Sequence, residues 1–250
     1  MKKIVVAPDS FKGSLTSAEV ADAVERGIKD VFPQCNVVKA GVADGGEGTV
    51  EAIVKAVGGD MYAASVTDPL GRPIKAAYGI VRSGGVKTAV MEMSAASGLP
   101  LLLPDELNPW ITSTYGTGEM ISDALNRGCR KFLVGIGGSA TNDAGTGMLS
   151  ALGVRFLDSS GQRLKGCGRD LESITRIDMS SLMPAARESE FIVACDVNTP
   201  FCGPDGAARV FAPQKGADPQ TAEALDHGMR SFARVIAGQF QTLAIRAECP

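Results

Sequence analysis

The sequence contains one histidine, few aromatic residues and no CxxC cysteine pair, and each scarcity argues against a class of function. Ser–His–Asp or Cys–His chemistry would have to run through His227, which we expect on the exposed face of a helix. A zinc site built from cysteine and histidine is not expected. Aromatic residues make up 5% of the chain, so base-stacking platforms for single-stranded nucleic acid are not expected either.

Long apolar runs and an excess of positive charge are missing as well. No stretch approaches the length of a membrane span, and the net charge of −3 argues against a general binder of phosphate backbones. The apolar run at residues 4–7 ends at Pro8 and is too short for the core of a signal peptide. We therefore expect a cytoplasmic protein that binds neither nucleic acid nor membranes.

The most informative segment is KFLVGIGGSATNDAGTG, residues 131–147. Residues 132–136 predict a short buried strand, and residues 144–152 predict a helix. The glycine-rich polar loop between them would aim free backbone N–H groups and the positive end of the helix at an anion such as phosphate. Asp143 at the end of this loop makes a divalent cation a reasonable companion.

The order of predicted elements indicates an α/β protein with two lobes. Two strand–loop–helix units open the chain and favour a parallel α/β lobe, with helices that start at Thr16 or Ser17 and at Thr49. A second lobe is predicted to be richer in strands. Its strands are expected at residues 62–67, 74–81, 88–94 and 132–136, with another buried strand at 191–197, and its longer helices at 117–127 and 217–236.

Four predicted strand ends carry unusual loops, each of which contains a carboxylate. They are DSFKGS (residues 9–14), DGGEG (44–48), GGSATND (137–143) and DVN (196–198). Ligands of open α/β folds gather beyond the carboxyl ends of strands. An aspartate before a helix is often only a cap and a glycine often only a turn, which is the better explanation of any one loop alone. Four such loops together favour a shared site.

These residue types fit phosphoryl transfer, which needs neutralised phosphate oxygens, a positioned nucleophile and a metal ion. Glycine N–H groups, Ser139 and Thr141 can hold phosphates, and a carboxylate can take the proton of an attacking hydroxyl. Lys12, Arg72 and Lys215 can balance negative charge. The chain has no GxxxxGK[ST] loop, no GxGxxG and no HExxH, so the nucleotide and zinc motifs of those types are excluded.

Seven motifs, taken in order, resemble the bacterial glycerate kinase family. They are APDSFKGSLT, VADGGEGT, DPLGR, MEMSAASGL, STYGTGEMI, GIGGSATNDAGTGML and ACDVNTPFCGPDGAARVFAPQKGAD. The resemblance implies a two-domain glycerate-kinase-like α/β fold. A flavodoxin-like or Rossmann-like lobe would comprise residues 1–65, an inserted α/β lobe with the GGSATND loop residues 66–236, and an atypical tail residues 237–250.

The same resemblance implies an enzyme that uses ATP and Mg²⁺ to phosphorylate D-glycerate, most simply to 2-phosphoglycerate. Three alternatives stay open. The product could be 3-phosphoglycerate, the chain could bind nucleotide or glycerate without turnover, or it could be a phosphatase or mutase of small phosphorylated acids. A homodimer is also left open.

The motif positions supply the expected site, and their individual roles are inferred from residue type. Asp44 or Asp196 is expected as the base toward the glycerate hydroxyl, and Lys12 as the group that serves the substrate carboxylate or the transferred phosphate. The further assignments are Asp9, Ser10, Lys12 and Arg72 for the substrate, Gly137, Gly138, Ser139, Thr141, Asn142 and Lys215 for the nucleotide, and Glu47 and Asp143 for the metal.

Members of this family are longer than the present chain, which lacks their PGAGAAGG-type and ITGEGRID-type stretches. If that part returns to the first lobe, the lobe lacks strands here. Its sheet is then expected to expose an edge and an apolar face.

Overall fold

The computed structural model describes residues 3–8, 11, 14–40, 48–195 and 197–240. They form a mixed α/β fold, which confirms the predicted class. The strands are β1 (Lys3–Val6), β2 (Asn36–Lys39), β3 (Gly59–Thr67), β4 (Pro73–Ser83), β5 (Val86–Glu92), β6 (Lys131–Gly135), β7 (Arg155–Leu157), β8 (Arg176–Asp178) and β9 (Glu190–Ala194). The helices are α1 (Ser17–Val31), α2 (Thr49–Val57), α3 (Ser94–Ser97), α4 (Tyr115–Asn126), α5 (Thr146–Ala151), α6 (Pro184–Arg187), α7 (Ala207–Phe211) and α8 (Pro219–Gln239).

The largest sheet of the described residues has the strand order β3-β4-β5-β6-β9. β3, β4 and β5 form an antiparallel meander, whereas β5, β6 and β9 run parallel to one another. Glu92 pairs with Gly135, and Gly135 with Ala194. The carboxyl ends of these three strands therefore lie side by side at one edge of the sheet.

A smaller parallel sheet joins β1 to β2, with Val6 opposite Lys39. α1 follows β1 and starts where the sequence predicts. The Thr16 hydroxyl accepts the N–H of Glu19, and the Glu19 carboxylate accepts the N–H of Thr16, which closes a capping box. These two reciprocal bonds satisfy donors that a helix start otherwise leaves unpaired.

The second helix packs on the larger sheet, although it follows β2 in the chain. Gly79 of β4 lies under α2 so closely that a Cβ atom built there would fall 2.3 Å from Val54 Cγ2. β3 starts at Gly59 and continues the same sheet. The domain boundary expected at residues 65/66 thus falls inside a strand, and the division into two lobes stays a prediction.

Two apolar clusters form the core of the described residues. The first lies between the larger sheet and α4 and includes Tyr78, Phe132 and Met120. The second lies between β7, β8 and α8, where Phe156 and Phe232 meet edge to face with ring centroids 5.9 Å apart. Both clusters are made of helix faces and strand faces whose apolar spacing the sequence already displays.

β9 differs from expectation. The sequence predicts a buried strand at residues 191–197, but Phe191, Ile192 and Val193 are 40%, 54% and 55% exposed. The prediction of burial is wrong: β9 is the outermost strand of its sheet in the described part of the chain, and its side chains remain largely open to solvent. A continuous apolar run is typical of a parallel strand covered on both faces, so the sequence and the surroundings of β9 disagree.

Two smaller expectations can be checked on the helices. His227 lies on α8 with its side chain 60% exposed and 3.2 Å from the Glu172 carboxylate, which confirms a surface histidine. Over the described ranges, no helix combines the length and the apolar character needed to cross a bilayer.

Candidate active site

Two of the four predicted loops start at the carboxyl edge of β5, β6 and β9. The loop of residues 137–143 follows β6, and the segment that begins with Cys195 follows β9. Because these strands are neighbours and run parallel, both segments start at the same edge. The structure thus brings the origins of two of the four loops together.

A third loop is tied to this edge through Glu92, the last residue of β5. The Glu92 carboxylate is buried and accepts the backbone N–H of Val50 over 2.8 Å. Val50 lies in the first turn of α2, two residues after the DGGEG segment. Sequence reasoning gave Glu92 no role, although a carboxylate inside the predicted strand 88–94 was the available signal.

Several candidate residues lie outside the described residues. They are Asp9, Ser10, Lys12, Asp44, Glu47 and Asp196, together with the glycines 45 and 46. Their catalytic, substrate and metal roles stay predictions.

The first half of the 137–143 loop is open to ligands. Gly138 is exposed, and Gly137 and Ser139 are half-buried. Within the described ranges, no acceptor takes the backbone N–H groups of these three residues. The opposite side of the loop is fixed, since the Gly138 carbonyl accepts the N–H of Leu99 over 2.9 Å. Gly138 has φ of +70°, a conformation that side chains rarely adopt, so glycine is needed here.

Lys215 lies beneath this open half. Its Nζ atom donates to Ser139 Oγ over 2.8 Å and to the carbonyl of Thr141 over 2.6 Å. The residue is 7% exposed, and burial lowers the pKa of its ammonium group to about 8, while the charge of Asp143 acts in the opposite direction. The structure therefore joins Lys215 to the loop assigned with it from sequence, and its contact with nucleotide stays a prediction.

The second half of the loop is buried. Thr141 and Asn142 are both largely inaccessible, and Asn142 Nδ2 lies 3.3 Å from the Met229 sulfur on α8. The Ala140 carbonyl accepts the Thr112 hydroxyl over 2.8 Å. A ligand that approaches from solvent meets Gly137, Gly138 and Ser139 before it meets Thr141 or Asn142.

Asp143 is 1% exposed and is surrounded by the protein's own donors. Its Oδ1 accepts the N–H of Gly145, and its Oδ2 accepts the N–H groups of Thr114 and Gly147 and the Thr114 hydroxyl. Burial raises the pKa of the carboxyl group, whereas these hydrogen bonds act to lower it. Its role as a metal ligand stays a prediction, and a metal ion would have to compete with four donors.

These contacts correct the expectation for the helix start. The helix begins at Thr146 rather than at residue 144, and the Gly145 and Gly147 N–H groups bind Asp143. The positive end of this helix is expected from the sequence to face an anion such as phosphate, and in the structure the anion at these two N–H groups is the internal carboxylate of Asp143. Ala144, between Asp143 and the helix, has φ of +50°, which costs about 1–2 kcal/mol for a residue other than glycine.

Arg72 was assigned to the substrate, and the structure places it in a network of carboxylates. Its Nε atom lies 2.5 Å from Asp68 Oδ2 and its Nη1 atom 2.6 Å from Glu106 Oε1. These bonds fasten the turn between β3 and β4 to the 3₁₀ segment Pro104–Glu106. The guanidinium is already engaged on two sides, so a substrate carboxylate would have to displace one of these partners.

A magnesium site cannot be assembled from the described residues alone. They contain no group of three or more His, Cys, Asp or Glu side chains that could hold a metal ion. Asp143 faces its own donors, and the other candidate, Glu47, lies outside the described ranges.

Comparison with known proteins identifies the family of this chain. A family model described as the glycerate kinase family matches residues 4–248. The chain belongs to the glycerate kinase family. Members of this family include a Haemophilus influenzae protein named glycerate kinase, 50% identical over 233 residues, and an Escherichia coli protein named glycerate 2-kinase, 47% identical over 234 residues.

The solved structures contain a close match in fold. A crystal structure from Salmonella typhimurium LT2 that carries the name glycerate kinase 2 superimposes with a TM-score of 0.81 at 45% identity. The match covers 96% of this chain and 64% of that one. The Haemophilus and Escherichia relatives are covered over 61% of their length, against 93% and 94% of this chain. The chain thus spans about three fifths of the length of these glycerate kinases.

Proposed function

We propose that this chain is a glycerate kinase that transfers the γ-phosphate of ATP to D-glycerate and forms 2-phosphoglycerate. The observation that carries the proposal is the open face of Gly137, Gly138 and Ser139: their backbone N–H groups have no acceptor among the described residues, and the Ser139 hydroxyl is bonded to the buried ammonium group of Lys215. It lies at the carboxyl edge of parallel strands, where ligands of α/β folds bind.

The nucleotide side of the proposed reaction follows from this face. Backbone N–H groups bind phosphate oxygens without regard to side-chain type, and a nearby ammonium group neutralises part of their charge. Ser139 Oγ accepts a hydrogen bond from Lys215 Nζ, and the hydroxyl hydrogen of Ser139 can then be donated to a phosphate oxygen. Thr141 and Asn142 are buried behind this face, so we assign them to the support of the loop more than to direct contact.

The glycerate side rests on the motif residues after β1, β2 and β9. Asp44 or Asp196 would accept the proton of the attacking hydroxyl, and Lys12, with Asp9 and Ser10, would bind the small acid. The bond from Val50 to Glu92 supports this arrangement, because it fixes the end of the DGGEG segment at the edge where residues 137–139 lie. The name of the Escherichia relative, glycerate 2-kinase, favours the 2-hydroxyl.

Magnesium would enter with the nucleotide, since Mg²⁺ in phosphoryl-transfer sites usually keeps several waters and takes few protein ligands besides the phosphates. We assign Glu47 as its protein ligand. The described residues form no such site by themselves, so no step is derived through the metal.

A second candidate function is binding of nucleotide or glycerate without turnover. It is favoured by one observation, namely that the chain covers 61% of its relatives' length. Residues in the uncovered part of those relatives could complete a catalytic site that this chain holds only in part.

The two functions are separated by one assay on the purified chain. ADP formation is measured with ATP and Mg²⁺, with and without D-glycerate, and the product is identified by phosphorus NMR. Glycerate-dependent ADP formation with a 2-phosphoglycerate signal supports the kinase. Saturable ATP binding in calorimetry without any ADP formation supports the binding function and contradicts the kinase.

The variant Asp44→Asn tests the proposed base. We expect turnover to fall by about 10²–10⁴-fold, the range typical of a lost general base, with an unchanged melting temperature. Asp30→Asn, on the exposed face of α1, is the matched control and should retain full activity. A loss of stability in proportion to the loss of activity would assign Asp44 to a structural cap instead.

A further inference from the structure

The starts of α4 and α5 meet at one carboxylate. Thr114 is the N-cap of α4, and both its backbone N–H and its hydroxyl donate to Asp143 Oδ2 over 2.8 Å. Gly145, the N-cap of α5, donates its N–H to Oδ1 over 3.0 Å, and Gly147 donates to Oδ2 over 3.3 Å. Asp143 therefore accepts donors from two helix starts, its own and that of Thr114, which lies 29 residues earlier in the chain.

Thr114 links the two helices a second time. Its hydroxyl oxygen accepts the N–H of Met148, in the first turn of α5, over 2.9 Å while the hydroxyl hydrogen points to Asp143. The helices are packed tightly enough that a Cβ on Gly147 would lie 2.0 Å from Ser113 Oγ and 2.9 Å from Asp143 Oδ2. This space admits no further group.

A negative charge at a helix start interacts favourably with the helix dipole, whether it belongs to a ligand or to the protein. Here the protein's own carboxylate takes that position. An external anion, such as the phosphate of a ligand, can bind at the first half of the loop, where Gly137, Gly138 and Ser139 are accessible. The two halves are coupled through Lys215, which binds Ser139 and Thr141 and interacts electrostatically with Asp143.

We propose that Asp143 is a positioning residue: an internal anion that fixes the starts of α4 and α5 and so holds residues 137–139 and Lys215 in place for a ligand phosphate. It does not coordinate the metal ion. The inference rests on the proposed function for the identity of the ligand as the phosphate chain of a nucleotide. The positioning of the two helix starts is independent of that identity.

Asp143→Asn tests this role because it removes the charge and replaces an acceptor by a donor at almost unchanged size. We expect the Kd for ATP to rise by about tenfold, the loss typical of a hydrogen bond to a charged group. The rise should be the same in Mg²⁺ and in EDTA, measured by calorimetry on the full chain. An affinity that becomes insensitive to Mg²⁺ in the variant would instead make Asp143 a metal ligand and overturn the proposal.

Thr114→Val provides a second variant that leaves the carboxylate intact. Positioning predicts the same loss of ATP affinity in both variants, whereas metal coordination predicts an effect of Asp143→Asn alone. Ser122→Ala, farther along α4, is the control and should bind ATP as the parent chain does, since among the described residues its hydroxyl bonds only to the sulfur of Met183.

A readout without ligand keeps the test separate from the proposed function. Hydrogen exchange of the first-turn amides of α4 and α5 should speed up in Asp143→Asn and in Thr114→Val, but not in Ser122→Ala. If the parent chain binds no ATP, the proposed function fails and the exchange rates alone decide this inference. Unchanged exchange in both variants would overturn it.

Discussion

The backbone N–H of Val50 donates to the carboxylate of Glu92 across 2.8 Å, and this bond joins the start of α2 to the end of β5. The two residues are 42 positions apart. Because Val50 lies two residues after the DGGEG segment, the bond holds the chain that follows this segment at the end of β5, the neighbour of β6. The convergence of acidic loops expected from the sequence is thus supported by a contact between residues that were not assigned any role.

The buried ammonium group of Lys215 makes stability and ligand binding respond to pH in opposite directions. Its pKa is lowered from 10.5 to about 8 in the folded chain. Between these values the unfolded chain holds the proton that the folded chain has released, so stability rises with pH. We expect about 2 kcal/mol of added stability from pH 8 to pH 10 from this group, while ATP affinity declines as the positive charge is lost.

Lys215→Met removes the contribution of Lys215 to the pH dependence of both stability and ATP affinity. The other lysines, which also titrate at high pH, are the same in the variant and in the parent chain, so their contribution cancels in the comparison. Urea unfolding at a series of pH values measures the stability difference between the parent chain and this variant. The expected result is a difference that grows from pH 8 to pH 10. Parallel curves would show that Lys215 titrates at its ordinary pKa.

Two helical glycines with different surroundings test how tightly α4 and α5 must pack. A Cβ on Gly118 of α4 would lie 2.2 Å from the Met148 carbonyl oxygen and 2.7 Å from Ala151 Cβ, whereas a Cβ on Gly27 of α1 meets nothing within 4 Å. Gly118→Ala is expected to cost about 1–3 kcal/mol through overpacking. Gly27→Ala should be neutral or stabilise by up to about 1 kcal/mol. Equal unfolding free energies for the two variants would contradict the packing.

Arg72 and Arg127 form a matched pair, since each contacts an aspartate four residues earlier in the chain. Asp68, the partner of Arg72, is 3% exposed in its side chain, and Asp123, the partner of Arg127, is 32% exposed. We expect Arg72→Ala to lower the melting temperature clearly more than Arg127→Ala, because it leaves a buried carboxylate without its cation. The KM for glycerate should be unchanged in both.

Steady-state kinetics and thermal unfolding of the two variants decide between the structural and the substrate role of Arg72. A raised KM with an unchanged melting temperature in Arg72→Ala would restore the substrate role predicted from the sequence.

Local features of the fold were predictable because their causes are local. The capping box depends on Thr16 and Glu19, which lie within four consecutive residues. The second helix, α2, begins at Thr49 as predicted, directly after a glycine. The glycine-rich loop after β6 is equally visible. In each case the residues that determine the structure are close neighbours in the chain.

The site differs from its prediction where a distant residue decides the outcome. Whether the N–H groups of Gly145 and Gly147 face a ligand depends on Asp143 and on Thr114, which comes from another helix. The partners of Lys215, Ser139 and the Thr141 carbonyl, are 76 and 74 residues away. The apolar run of β9 likewise indicates that its side chains favour burial, but it does not show whether another layer of the fold covers them.

The uncovered strand β9 has a consequence for handling the purified chain. Phe191, Ile192 and Val193 stand on a sheet margin whose outer backbone groups have no neighbouring strand in the described residues. Such a margin accepts extended peptides of almost any sequence, other copies of itself included. High concentration should therefore promote self-association of this protein in solution.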